Sequence, residues 1–307
     1  MSLHAAPKDS IASYSLIRKG PGSPLTTTVT KDQVRQFAAA QRFFEHGCDF
    51  LYSAEALRHH PRNEHIPEIV VLGASNVGKS SFLNALVGKE GRAKVGQRPG
   101  KTKLMNAFGV GPRPQTPRSL VRTGSAPPKH SLILVDTPGY GYRSQATWGA
   151  EILKYLEMRQ RLRGAVVLLS LIKRKPSAED MWVLRALAEL NTRTLVVVTK
   201  ADRQRPAEWP LVCSRMADAV LREMNSLDET VCGNRWRAAV AGAESDVYVT
   251  AAGMDLEGKL GNGAGMGGVR AAILQMAGFD VRTEVTKTAE NVVYAGPTVS
   301  FDDIQWG

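Results

Sequence analysis

Eight consecutive residues carry the clearest chemistry in this 307-residue chain: Gly73, Ala74, Ser75, Asn76, Val77, Gly78, Lys79 and Ser80, with Ser81 behind them. They fit G-x-x-x-x-G-K-[ST], a loop built to hold phosphates. Its glycines let the backbone curl without a side-chain clash, so that successive N–H groups face an anion. The helix that follows adds its positive end. Lys79 is spaced to reach β- and γ-phosphates, and the Ser80 hydroxyl to bind Mg²⁺.

Three later segments supply what such a loop needs. Asp136-Thr137-Pro138-Gly139 comes 57 residues after Lys79 and closes an apolar run. A carboxylate there can hold Mg²⁺ through water, and the Gly139 N–H can sense a γ-phosphate. Thr199-Lys200-Ala201-Asp202 closes another apolar run. The Asp202 carboxylate can accept from N1–H and the 2-amino group of guanine, donors that adenine lacks there, which argues for GTP over ATP. The Lys200 stem can lie over the base plane. Thr250-Ala251-Ala252 offers small residues at a strand end, where a backbone N–H can approach guanine O6; alone this is a weak signal. Thr102 lies in Arg98-Pro99-Gly100-Lys101-Thr102, where a mobile threonine can complete the Mg²⁺ shell; before any resemblance is considered, a plain surface threonine is the favoured reading.

These segments need a scaffold. Strand-like runs occupy 68–72, 103–110, 131–135, 165–171, 194–199 and 246–249, and helix-like segments 79–87, 147–162, 177–190, 208–225 and 268–277. Strands alternating with helices predict an α/β domain over 67–278, a P-loop nucleotide-binding fold with a mainly parallel six-stranded sheet and helices on both faces. Continuous apolar runs suit strands buried on both sides. Residues 31–57 read as helix, within an N-terminal helical extension at 31–66 broken by Pro61 and Pro67. Residues 1–30 read as a disordered tail or a transit-like segment, acid-poor and Ser-rich. Residues 111–129 read as a basic loop insertion, 253–268 as a Gly-rich linker and 279–307 as a C-terminal tail.

Composition narrows the class. At 43% hydrophobic residues the chain can bury a core. Its longest apolar run, at 164–172, is far below the roughly 20 residues that cross a bilayer. Three scattered cysteines, Cys48, Cys213 and Cys232, argue against a disulfide framework or a cysteine zinc site. Much of the net charge of +11 sits in 89–129, where ten basic residues face one acid, Glu90. Such a block suits a polyanion, RNA first and an anionic membrane second, with a solvated loop as the bland alternative.

The motifs together resemble the EngB family of ribosome-assembly GTPases, within the TrmE-Era-EngA-EngB-septin class. The resemblance rests on Pro67-Glu68-Ile69 before the phosphate loop, Pro99-Gly100-Lys101-Thr102, Asp136-Thr137-Pro138-Gly139-Tyr140-Gly141-Tyr142, Thr199-Lys200-Ala201-Asp202, and a helix with Trp148, Tyr155, Leu156, Arg159 and Leu162. It spans roughly residues 40–278. It implies a single GTPase domain that hydrolyses GTP to GDP and phosphate with Mg²⁺, and a monomer acting as a switch in large-subunit assembly on ribosomal RNA. The N-terminal extension and insertions resemble a eukaryotic, fungal-like mitochondrial member, placing it in the matrix, with the cytoplasm as the alternative. Departures are Ala74 where the family usually has Arg, Leu171-Ile172-Lys173-Arg174 in place of an Asp-Ala/Ser-Arg stretch, and the insertion at 111–129.

Tyr140 stands where a water-orienting Gln stands in Ras-type enzymes, so intrinsic hydrolysis is expected to be slow. Asn76 offers one remedy: in related GTPases an Asn at this position helps bind K⁺, which stabilises developing charge. It reads equally as a loop-stabilising amide. The catalytic set expected is therefore Lys79, Thr102, Gly139 and Asn76. Tyr140 and Tyr142 read as exposed partner contacts. Two other readings stand beside the switch: an RNA- or ribosome-binding module with a mainly structural nucleotide site, and a membrane-associated GTPase.

Overall fold

A computed structural model of the chain describes residues 16–18, 22, 30–88, 104–115, 127–141, 146–205, 208–231, 247–251 and 265–280. The expected Thr102, Ala252 and Tyr142, most of the basic block, and the tail at 281–307 lie outside them.

The strands are β1 (Leu16–Arg18), β2 (Cys48–Ala54), β3 (Glu68–Gly73), β4 (Met105–Val110), β5 (Leu132–Asp136), β6 (Leu162–Ser170), β7 (Thr194–Thr199) and β8 (Val247–Val249). The helices are α1 (Lys31–Glu45), α2 (Lys79–Val87), α3 (Ala146–Met158), α4 (Ala178–Glu189), α5 (Trp209–Thr230) and α6 (Met266–Ala277). All eight strands join one sheet in the order β1-β8-β7-β6-β3-β5-β4-β2. The five central strands from β8 to β5 run parallel. β4 is antiparallel to β5, β2 to β4 and β1 to β8.

The α/β architecture is the expected one, but among the described residues the sheet has eight strands rather than six. Both additions are antiparallel edges. β2 falls in the stretch read as continuous helix: α1 ends at Glu45 and the chain turns at His46 into β2. Its pairing with β4 is shifted between Phe50 and Tyr52, and Asp49, Phe50 and Leu51 are all exposed. An irregular edge strand shows no clean alternation, so periodicity does not reveal it. β1 lies in the stretch read as disordered, held by three register pairs to β8. Residues 31–66 are therefore part of the domain rather than an appendage.

Local rules account for the helices. Thr30 opens α1 with a reciprocal cap: its Oγ1 accepts from the Gln33 N–H at 3.2 Å, and the Gln33 side chain accepts from the Thr30 N–H at 2.9 Å. Its buried Phe37, Ala40 and Phe44 face α6. At Gly267 a Cβ would lie 3.2 Å from the Phe37 ring, so a residue without one lets the two helices close up. α6 begins two residues earlier than expected, after Gly265, which has φ of +79°. Its Arg270 is buried and donates to the carbonyls of Leu86 at 2.7 Å and Ala85 at 2.5 Å. Arg270 thereby supplies a donor to Leu86 O at the end of α2 and a second one to Ala85 O, which also accepts from the Gly88 N–H at 3.4 Å.

Parallel strands place their carboxyl ends along one edge, the usual position for ligands in open α/β sheets. The ends of β3, β5, β7 and β8 are Gly73, Asp136, Thr199 and Val249. At the opposite edge Glu68, wholly buried, begins β3. Its Oε1 accepts from Arg159 Nη2 at 2.7 Å and Asn63 Nδ2 at 2.6 Å; its Oε2 accepts from the Tyr155 hydroxyl at 2.6 Å and Arg159 Nε at 2.9 Å. This forked pair fastens the end of α3 beneath the sheet.

Candidate functional site

The phosphate loop runs from the last residue of β3 to the first turn of α2, as its sequence predicts. A Cβ on Gly73 would lie 2.8 Å from Val77 Cγ1 and 3.0 Å from the Leu168 carbonyl oxygen, so only glycine fits between loop and β6. Asn76 and Gly78 have φ of +62° and +105°. Asn tolerates the left-handed region better than most residues, which gives Asn76 a backbone role of its own. Lys79 reaches back under the loop, donating from Nζ to Gly73 O at 2.8 Å and Ala74 O at 3.2 Å. Ser80 is half-buried and Ser81 exposed.

Two of the later segments clamp this loop from opposite sides. On one side, Val71 of β3 pairs in register with Asp136 of β5, and Thr137 Oγ1 donates to Val71 O at 2.8 Å. The chain then passes over the loop: Ser75 N–H donates to Tyr140 O at 2.8 Å, Ser75 Oγ donates to Gly139 O at 3.2 Å, and Ala74 bridges Tyr140. A Cβ on Gly139 would stand 2.6 Å from Ser75 Cα and 2.9 Å from Lys79 Nζ. Gly139 is thus packed directly against the loop backbone at Ser75 and the Lys79 ammonium.

On the other side, Thr199 Oγ1 donates to Val77 O at 2.7 Å and Lys200 Nζ donates to Asn76 O. Lys200 has φ of +65° and opens a 3-10 turn, Ala201–Arg203, on which Asp202 is half-buried. Thr250 and Ala251 are buried beside it, and the Ala201 N–H donates to Thr250 O at 3.3 Å. Two of the sequence segments are therefore tied to the loop by hydrogen bonds, and the third is tied to the turn that carries Asp202.

Charge inside the site is uneven. Asp136 is 4% exposed, and its Oδ1 is buried with no hydrogen-bond partner among the described residues. Burial pushes its carboxyl up to about 6, against the pull of Lys79. Burial also lowers the Lys79 ammonium to about 8, with Asp136 opposing. A buried, unsatisfied carboxylate oxygen beside an ammonium is costly unless another cation or donor completes it. The oxygen donors at Asp136 and Ser80 suit a hard divalent cation such as Mg²⁺.

One expectation is overturned. Tyr140 is 3% exposed, not a surface contact. Its hydroxyl donates to Asp180 Oδ1 at 2.7 Å. Asp180 is also the third residue of α4 and closes the reciprocal cap with the N-cap Ser177: its Oδ2 accepts from the Ser177 N–H and Oγ at 2.9 Å each.

Comparison with known proteins follows the same lines. Residues 68–200 match the model of a family described as "50S ribosome-binding GTPase". A probable GTP-binding protein EngB of Streptococcus equi subsp. zooepidemicus is 37% identical over 169 residues, covering 53% of this chain and 75% of that protein. Its counterpart from Streptococcus gordonii is 33% identical over 185 residues, covering 59% of this chain and 82% of that protein. Among solved structures, Toc33 from Arabidopsis thaliana in complex with GDP and Mg²⁺ aligns over 70% of this chain and 85% of that one, at 19% identity and a TM-score of 0.46.

Proposed function

The chain belongs to the EngB family of GTP-binding GTPases, and from that premise we propose that it is a switch in assembly of the large ribosomal subunit, acting on ribosomal RNA in the mitochondrial matrix. The observation that carries the reading is the clamp on the phosphate loop. Segments from the ends of β5 and β7 meet there, with Asp136 and Lys79 side by side and Asp202 at the far end. The match to a family described as ribosome-binding GTPases supports the biological half.

In this reading the loop N–H groups and Lys79 hold the β- and γ-phosphates. Ser80, Thr102 and, through water, Asp136 hold Mg²⁺, and the unsatisfied Asp136 Oδ1 fits that role. When bound, the ion neutralises charge that develops on the phosphates. The Gly139 N–H reads the γ-phosphate. Asp202 accepts from guanine, Lys200 covers the base, and Ala251 and Ala252 allow close approach at O6. Tyr140 cannot orient water while buried on Asp180, so the chain relies on another source of catalysis. We assign that role to K⁺ held with the help of Asn76; equal rates in Na⁺ and K⁺ at matched ionic strength would sink it.

GTP contacts at Thr102 would order the basic segment around it and release it on hydrolysis. Co-sedimentation with mitochondrial large subunits tests the switch. Tight binding with a non-hydrolysable GTP analogue, lost with GDP, is the expected result. Binding indifferent to nucleotide would overturn it. The matrix location is tested by import of the full chain into isolated mitochondria.

A further inference from the structure

Beside the guanine-recognition turn lies an open cleft of about 450 Å³ that no step of the proposed GTPase cycle uses. Its lining is dominated by four arginines, Arg174, Arg203, Arg205 and Arg215, opposed by one acid, Glu208. Only Arg205 meets that acid, at 3.5 Å, with its side chain 84% exposed. A contact so wet contributes little. The other three make no ion pair among the described residues.

The arginines come from three places in the fold. Arg174 ends the turn after β6, in the left-handed region with φ of +58°. Arg203 closes the turn that carries Asp202, and its N–H donates to Lys200 O at 3.1 Å. Arg215 projects from the first half of α5, beside exposed Leu211. Like charges gathered from separate elements repel one another, and nothing in the fold requires them to share a cleft. Burial and the nearby Arg203 already depress the Lys200 ammonium. An anionic ligand would relieve that repulsion.

The chemistry of the cleft selects the anion. Guanidinium forks match phosphate oxygens two at a time. Yet these side chains are exposed, so each contact with a free phosphate ion would be weak in water. A polymer changes the balance, because neutralising successive phosphates releases several counterions in one binding event. We propose that this cleft docks the phosphodiester backbone of RNA, with Arg174, Arg203, Arg205 and Arg215 each facing phosphate oxygens. This rests on the RNA-partner reading above and adds a place for it. It is separate in sequence from the basic block at 89–129. It also shares a turn with Asp202, so RNA held there touches the element that reads guanine.

The test uses the full chain, a labelled RNA hairpin with single-stranded flanks, and fluorescence anisotropy over a salt series. The pair Arg174→Ala with Arg215→Ala leaves every residue of the nucleotide site in place, and unchanged affinity for fluorescent GDP verifies the fold. Binding should weaken roughly tenfold near 0.1 M salt, and the log–log salt slope should fall by about 1.5–2. An unchanged affinity and slope would overturn the cleft assignment. If a comparison variant with Arg113, Arg118 and Arg122 changed to Ala then lost binding, the RNA reading would stand without the cleft. A wild-type chain that binds no RNA would overturn both. Variant-sensitive binding to phosphatidylserine vesicles in place of RNA would also overturn the assignment, in favour of a membrane.

Discussion

The Tyr140 hydroxyl donates to Asp180 Oδ1 at 2.7 Å, joining two residues 40 apart in sequence within a buried contact. Tyr140 is held at both ends, by its carbonyl on the Ser75 N–H and by its ring on the cap of α4. Gly139, one residue before it, is therefore placed by α4 as well as by the phosphate loop. Tyr140→Phe removes the hydroxyl and little else. It should cost about 1.5–3 kcal/mol of stability, the usual range for a hydrogen bond to a charged partner. In single-turnover assays GTP hydrolysis should slow several-fold, while GDP affinity stays within about twofold, because GDP has no γ-phosphate for Gly139 to meet. Equal effects on both nucleotides would reduce the bond to a structural one.

Asp202→Asn addresses the base. An amide can turn only one acceptor toward guanine and brings a donor that meets donors. GTP affinity by calorimetry should fall at least about 100-fold, roughly 3 kcal/mol, with ATP binding no better than before. Retained GTP affinity would remove Asp202 from base recognition.

Glu68→Gln tests the opposite edge of the sheet. The wild-type carboxylate is wholly buried, and Arg159, with a side chain 10% exposed, is its forked partner. Neutralising one member strands the other. Denaturant unfolding should show a loss of about 3–5 kcal/mol. Nucleotide affinity of the folded fraction should be unaltered, since the site lies at the other ends of the strands.

Acid sensitivity should come from this same region. Burial, then Arg159, lowers His60 from 6.5 to about 4, and its Nδ1 lies 3.2 Å from the Tyr52 hydroxyl. The unfolded chain binds that proton below about pH 6.5 while the folded chain does not, so stability falls as pH drops from 6.5 toward 4. Burial raises the Glu68 carboxyl, but the bonds from Arg159, Tyr155 and Asn63 outweigh it and hold the group below its usual value. Its contribution is complete above the unfolded carboxylate range and is lost as pH falls through the lower folded value. Thermal melts of His60→Asn should lie flatter between pH 6.5 and 4 than those of the wild type. A parallel curve would put the acid sensitivity elsewhere.

Much of the site was legible because its signals are local. The phosphate loop declares itself by glycine spacing, by Lys79 and Ser80, and by a strand before and a helix after it. Five of the buried strands announced themselves as short apolar runs, and β7 and α2 have the bounds that their patterns predict. β2 escaped because a bulged, half-exposed edge has no period. Tyr140 was misplaced because an aromatic after a loop glycine carries no mark of burial.

The sequence alone determined the order and spacing of the groups proposed to take phosphate, metal and guanine, each a short-range property of a few neighbouring residues. The tertiary structure alone decided which groups meet. Strand order brings Val71 beside Asp136 and Thr199 beneath Val77. Helix packing sets Arg159 on Glu68, 91 residues away, and Arg270 on the end of α2. Periodicity reports whether a side chain faces inward; only the folded chain determines what it faces.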